Sequence, residues 1–274
     1  MLILQTLLAA LLLQQVYSPA EFTQVQGASL KARFDSALVQ ANRANDDTFW
    51  VAYRFPVRPG IRISTSENNT SIQSLTTSDG IEWIPAETEV QRVGIFLLVG
   101  KSDGAIQKTR LINLNQNFRV HDRRVYWLGE ANAEDSVSLL SNLTLNSPQN
   151  YSSSLIHYMT LHDSPGVTTR LLQMARDTSN NLEMRRNAIS YLGREVNQQA
   201  AQELEKLTSD TNSEIQKAAV QAISRRVDNE SVPALIRIAK DHPNQTVKRQ
   251  AIQLLGQKKD PRVVDFFEQM LKKK

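Results

Sequence analysis

Five cations recur at matching places in the second half of the chain. Arg185-Arg186, Lys217 and Lys248-Arg249 stand two or three residues before Ala188, Ala219 and Ala251, and those alanines are 31 and 32 residues apart. Guanidinium and ammonium groups in a row favour carboxylates and phosphates, by charge and by hydrogen bonds. If they project to one side, they form a stripe suited to an acidic protein, a phosphate or another polyanion. A second use is open to the same residues. Asp177, Asp210 and Asp241 recur near the end of the preceding helix of each unit. One cation per unit could pair with that aspartate and tie neighbouring units together. Where the cations come as doublets, one member can be structural and the other free.

Other chemistry is sparse. The sequence has no His-Glu-x-x-His helix, no Gly-x-x-x-x-Gly-Lys loop, no Gly-x-Gly-x-x-Gly and no Gly-x-Ser-x-Gly elbow. It has no cysteine, which removes disulfides, thiolate metal sites and cysteine nucleophiles. Of the four histidines, His157 and His162 are five apart, off the three-or-four spacing of one helical face, so surface or helix-end roles are expected for them. His242, before Pro243, is expected at a helix end as a cation facing the dipole. His121-Asp122, with Arg123 and Arg124 behind, reads as a solvated hairpin tip. No cofactor or metal is implied.

The elements that must position the cations form a repeat. Leu140, Leu172, Leu204, Ile236 and Phe267 lie 32, 32, 32 and 31 residues apart, and three residues after each comes Leu143, Ala175, Leu207, Ala239 or Met270. A second ladder, Leu155, Ala188, Ala219 and Ala251, lies between them. Two interleaved apolar ladders with one period predict stacked helix pairs, because each pair buries its apolar face only against its neighbours. Met184-Arg185-Arg186-Asn187-Ala188 aligns with Ile215-Gln216-Lys217-Ala218-Ala219 and with Val247-Lys248-Arg249-Gln250-Ala251. Leu192-Gly193, Ile223-Ser224 and Leu255-Gly256 follow at helical spacing. With the first-helix segment Val232-Pro233-Ala234-Leu235-Ile236-Arg237-Ile238-Ala239, this pattern resembles HEAT repeats, in particular the short bacterial kind related to those of phycobilisome lyases. The resemblance covers about residues 133 to 274. It weakens over Tyr151 to Met159, which lacks the cation and the alanine and fits an atypical end unit. It implies an α-solenoid whose second helices line a concave binding face. The helix near Pro261 to Leu271 is expected to close the far end.

The first half differs. Leu30, Phe34, Leu38 and Ala41 mark an amphipathic helix from about Ala28 to Ala44. From Thr48 the period becomes two, with Phe49, Val51, Tyr53 and Phe55 on one face until Pro56. Ile61-Arg62-Ile63 and Ile81-Glu82-Trp83-Ile84 are short strand candidates. Val93 to Val99 reads as a buried strand, and Ala105 to Leu114 as its hairpin partner across Ser102-Asp103-Gly104. Arg119-Val120 and Val125 to Leu128 read as a last pair around His121 to Arg124. The expected fold class is α+β in two parts: a small, mostly antiparallel β domain, 48–130, after an N-terminal helical segment, 21–47, then an all-α HEAT-like solenoid, 131–274, of about four helix pairs plus a capping helix.

Leu2 to Leu13 is apolar apart from Gln5 and Thr6, and Ser18-Pro19-Ala20 offers small residues for cleavage. Residues 1–20 therefore read as a signal peptide. Export follows, to a bacterial periplasm or the medium, where a chain without disulfides is ordinary. Membrane contact is confined to that leader. Charge is nearly balanced: 19 Lys/Arg against 16 Asp/Glu in residues 133–274, and 13 against 12 in residues 1–132. That argues against nucleic acid as the partner. The expected function is a non-catalytic scaffold that binds a protein, with Arg185, Arg186, Lys217, Lys248 and Arg249 as candidate partner-binding residues. A polyanion binder using the same cations is one alternative. The other is an enzyme in the β domain or at the junction, drawing on Trp50, Arg54, Trp83, Arg110, His121 and Trp127.

Overall fold

The computed structural model describes residues 21–59, 81–83, 93–101, 104–114, 118–120, 123–146, 149–195 and 197–272. The leader, Ile61-Arg62-Ile63, Ile84, Ser102-Asp103 and the His121-Asp122 turn lie outside them. The chain divides into two compact units, Met1–Ser164 and Pro165–Lys274.

The first unit is built on a mixed sheet. Its strands are β1 (Thr23–Gln24), β2 (Thr48–Phe55), β4 (Val93–Gly100), β5 (Ile106–Asn113) and β7 (Val125–Glu130), in the order β1-β7-β2-β4-β5. β3 (Ile81–Trp83) and β6 (Phe118–Val120) form a separate antiparallel ribbon. β4 and β5 make the antiparallel hairpin that the sequence predicts, closed by Gly100 N–H donating to Ala105 O at 3.0 Å. Gly104 holds φ +62 there, which is favourable only for glycine. The expected pairing of residues 119–120 with 125–128 does not form. β6 pairs with β3, and β7 instead runs parallel to β1 and β2. β2 also departs from a one-faced strand. It sits between β7 and β4 with both faces covered, so Trp50 and Ala52 are as buried as Phe49, Val51, Tyr53 and Phe55. Trp50 joins Phe22, Phe96 and Trp127 in one aromatic cluster.

Helix α1 (Leu30–Ala44) starts at Ser29, whose side chain accepts the Ala32 N–H at 3.1 Å. It buries Leu30, Phe34, Ala37 and Ala41. Helices α2 (Ala133–Asn146) and α3 (Gln149–Met159), the first helix pair, belong to this same unit. They are tied to the sheet by buried polar bonds. Tyr53 Oη lies 2.9 Å from Ser136 Oγ, and Tyr158 O–H donates to Thr109 Oγ1 at 3.3 Å. His162, expected at the surface or at a helix end, is at a helix end and is 1% exposed, stacking on Phe55 with centroids 4.1 Å apart. It enters the core because it can satisfy Nδ1 locally, against Tyr158 O at 2.9 Å and Met159 O at 3.3 Å.

The second unit comprises α4 (Gly166–Arg176), α5 (Leu182–Leu192), α6 (Gln198–Leu207), α7 (Ser213–Ser224), α8 (Asp228–Asp241), α9 (Gln245–Leu255) and α10 (Pro261–Lys272). Ala188, Ala219 and Ala251 are fully buried, which lets the second helices α5, α7 and α9 approach one another. Asn181, Asn212 and Asn244 cap these three helices at equivalent places, each accepting backbone N–H groups. Gly193 ends α5, where an added Cβ would lie 2.7 Å from Ala222 O. α10 buries Val263 and Phe266 only. Val264, Met270 and Leu271 are exposed, so Met270 of the apolar ladder is not core.

Candidate functional site, a groove across the second helices

The cations of the repeat divide by position. The first position faces the end of its own unit's first helix. Arg185 Nε donates to Ala175 O at 2.8 Å, Gln216 Nε2 to Asp210 O at 2.6 Å, and Lys248 Nζ to Lys240 O at 2.8 Å. Ala175 and Lys240 lie in the last turn of their helices, whose carbonyls the helix itself leaves unpaired, and Asp210 lies three residues past the end of α6. The same position reaches the next unit. Arg185 Nη2 pairs with Asp210 Oδ2 at 2.5 Å, and Gln216 Oε1 accepts from Asn244 Nδ2 at 2.8 Å. Arg185 is therefore not a partner-binding residue. It is 5% exposed and committed to two partners within the fold.

The aspartates divide differently from their spacing. Asp177 and Asp210 accept the N–H two residues on, at Ser179 and Asn212. In the third unit that role falls to His242, whose Nδ1 accepts the Asn244 N–H at 3.1 Å while Nε2 lies 3.4 Å from Ser209 Oγ. His242 stands at the helix end as expected, but it is buried and its Nδ1 accepts a hydrogen bond in the turn. Asp241 is exposed and pairs with none of the described residues.

The next position along the helix, one residue and about 100° on, holds Arg186, Lys217 and Arg249. All three point out of the fold. Arg186 and Arg249 make no hydrogen bond or ion pair among the described residues. Lys217 Nζ pairs with Glu214 Oε1 at 2.8 Å, with both side chains nearly half exposed. That bond, with a smaller contribution from Arg186, holds the Glu214 carboxyl below its ordinary range.

Arg186 and Lys217 stand on the walls of a groove of about 460 Å³ running across α5, α7 and α9. Glu183 and Glu214 also line it, three residues before each cation. One helical turn beyond the cations come Ser190 and Gln221. Arg225, at the end of α7, crosses to α5 and donates to Ser190 Oγ at 2.8 Å. Gln250 crosses from α9 to α7, donating to Lys217 O at 3.0 Å. Asn187 and Gln221 keep their carboxamides unbonded among the described residues. Arg225 was invisible as a site residue because it lies outside the repeated columns, and Gln250, though inside the aligned segment, carries no charge to single it out. Moving one helical turn from each cation would have found Ser190 and Gln221.

Residues 168–253 match the family model of HEAT repeats. The C-terminal half of the chain is a HEAT-repeat solenoid. The groove thus lies on the second helices of three successive HEAT units. Among solved structures, the chain is similar to a computationally designed armadillo repeat protein for modular peptide recognition, with 21% identity and a TM-score of 0.25 over 45% of this chain and 57% of that one. It is also similar to an engineered protein, with 19% identity and a TM-score of 0.27 over 45% of this chain and 54% of that one. The chain spans little more than half of either structure. No curated protein matches the sequence.

The residues offered for chemistry in the first unit are placed otherwise. Trp50 and Trp127 are core, and Arg54 pairs with Glu130 at 2.6 Å. Arg110 lies on β5, half-buried. Among the described residues, no cluster of three or more His, Asp or Glu could hold a metal ion. Among them, too, no helix is long and apolar enough to cross a membrane.

Proposed function

We propose that this chain is a non-catalytic interaction protein, exported from the cell, that binds a polypeptide partner in the groove of its HEAT units. One observation carries the reading. Three consecutive second helices contribute polar side chains to one continuous groove, and several of those side chains are left unbonded by the fold. A helix-pair array keeps its second helices parallel in sequence order, so such a groove extends along the stack and suits an extended chain better than a compact small molecule. The volume is within the range of small-ligand pockets, but the walls are charged and amide-rich, where such pockets are mostly apolar. Export rests on the apolar segment 2–13 and the small residues 18–20. It is tested by the mass of the mature protein, which should lack the leader.

The binding reading is tested by photo-crosslinking in the native host. A photoreactive residue replacing Asn187 or Gln221 should give defined protein adducts. The same residue replacing Lys206, on α6 and outside the groove, should not. Absence of adducts at both groove positions refutes the assignment of the groove.

A further inference from the structure

If the groove is an interaction site, as proposed above, its charge and its hydrogen-bonding groups narrow the kind of polypeptide it takes. The charges do not cancel. Lys217 and Glu214 neutralise each other directly. Arg225 is held by a neutral serine, so its charge stays uncompensated. Arg186 has Glu183 one turn away, but no ion pair joins them. In the third unit the carboxylate column ends: Thr246 stands where Glu183 and Glu214 stand in the other two, three residues before Arg249. Arg249 is exposed and unpaired among the described residues, and it stands just beyond the groove, beside Gln250, without lining it. Positive charge therefore accumulates from α5 toward α9. The surrounding unit amplifies it, with 19 Lys/Arg against 13 Asp/Glu in residues 165–274, whereas residues 1–164 have 13 against 15.

Charge alone would admit any polyanion, and the hydrogen-bonding groups decide among them. Asn187 and Gln221 each present a donor and an acceptor on the groove wall. A peptide main chain alternates N–H and C=O and can use both. A phosphodiester backbone offers acceptors only, and would leave the two amide oxygens without a donor. Among the described residues, none that lines the groove is aromatic, so a base has nothing there on which to stack, as single-stranded nucleic acid requires. We propose that the groove selects an extended acidic polypeptide segment. Arg186, Arg225 and Arg249 receive its carboxylates, and Asn187 and Gln221 hold its main chain. Arg225 would exchange its serine partner for a carboxylate, a stronger, charge-assisted bond.

The test uses the full chain and fluorescence anisotropy with three labelled probes: a peptide of alternating Glu, Ser and Gly, the same peptide with Lys for Glu, and a single-stranded oligonucleotide matched in charge to the first. The Glu peptide should bind, and weaken as salt is raised. The variant Arg186→Glu/Arg225→Glu/Arg249→Glu should lose it by about tenfold or more and bind the Lys peptide in its place. A control with the same change in net charge, Lys206→Glu/Arg237→Glu/Lys272→Glu, should keep the original preference, and circular dichroism checks that both variants are folded. The inference is overturned if the wild type does not prefer the Glu peptide, if the control loses as much as the groove variant, or if the oligonucleotide binds as tightly as the peptide. Any of these results, with groove crosslinks to a protein still present, removes the acidic specificity and leaves the interaction role standing.

Discussion

Arg185 and Arg186 are adjacent and chemically identical, yet the structure gives them opposite consequences on truncation. Arg185→Ala removes a guanidinium that is 5% exposed and bonded to Ala175 O and Asp210. What stays behind decides the cost. Asp210 keeps a side chain only 11% exposed and one N–H, from Asn212 at 2.8 Å. Ala175 O loses its side-chain donor. Breaking a buried ion pair by removing one member costs about 3–5 kcal/mol. The surviving N–H bond and the partial exposure of Asp210 place this case at the low end, about 3 kcal/mol. Arg186→Ala removes an exposed group without a bonded partner, for a change within about 0.5 kcal/mol. Urea unfolding followed by far-ultraviolet circular dichroism separates the two. With a denaturant slope of about 2 kcal/mol per molar, Arg185→Ala should lower the midpoint by about 1.5 M and Arg186→Ala should leave it in place. Asp210→Ala added to Arg185→Ala should cost far less than it does alone, giving a coupling of about 2 kcal/mol. Arg185→Gln should recover about 1 kcal/mol, because Gln216 at the equivalent place already bonds a backbone carbonyl, that of Asp210 just past the first helix, with an amide. Equal effects at 185 and 186, or no coupling between 185 and 210, would refute the division of the repeated cations into structural and free.

Two further predictions probe the packing. Gly193→Ala forces a Cβ to within 2.7 Å of Ala222 O and 2.9 Å of Ala222 Cβ, and should destabilise by about 1–3 kcal/mol. Gly256→Ala, at the matching place after α9, meets only Gln253 O at 3.5 Å and Ile252 O at 3.8 Å, with φ −61. It should be neutral or stabilising by up to about 1 kcal/mol in the same urea titration. In the first unit, burial pushes the His162 imidazole down from 6.5 to about 4. The unfolded chain therefore binds this proton first as pH falls. The contribution of neutral His162 is whole above about pH 6.5 and is lost on acidification toward pH 4, by roughly 3 kcal/mol at 1.4 kcal/mol per pKa unit. His162→Phe keeps a ring against Phe55 and cannot take the proton, so stability measured from pH 7 to pH 4 should fall less steeply than in the wild type. Parallel pH profiles would show that another group carries the acid sensitivity.

The repeat was legible because its signal is periodic. Ala188, Ala219 and Ala251 are fully buried as their spacing requires, and the helices that carry them lie where the pattern puts them. The strands were legible singly but not in their pairing. Local alternation identifies β2 and β4, yet nothing local tells Val125–Glu130 to leave its neighbour in sequence and run parallel to β2, a choice set by long-range burial of Tyr126 and Trp127. Of the two places expected for His162, the surface failed and the helix end held, for a related reason. A histidine is polar by type, and only the carbonyls of Tyr158 and Met159 and the face of Phe55 make its burial tolerable. The site was half legible. The cationic column is visible in the sequence, but a doublet such as Arg185-Arg186 does not say which member turns inward.

The inward member has a role in the groove all the same. In an array of stacked pairs, each unit is held by its neighbours, and the interface between units sets their relative register. Arg185 to Asp210, Gln216 to Asn244 and Ser209 to His242 are three polar links between successive units, all at the edge where first helices end and second helices begin. The groove lies on the outer face of the same second helices and needs α5, α7 and α9 in register at once. Arg225 bridges α5 and α7 from the groove side, and Gln250 bridges α7 and α9. Each inter-unit step is thus pinned from two sides, by a more buried link at the helix edge and an exposed one on the groove side. The exposed links are the ones that solvent and a competing ligand can reach. If the groove binds as proposed, a partner can replace them without dismantling the stack, because the edge ladder holds the register while the groove exchanges its contacts.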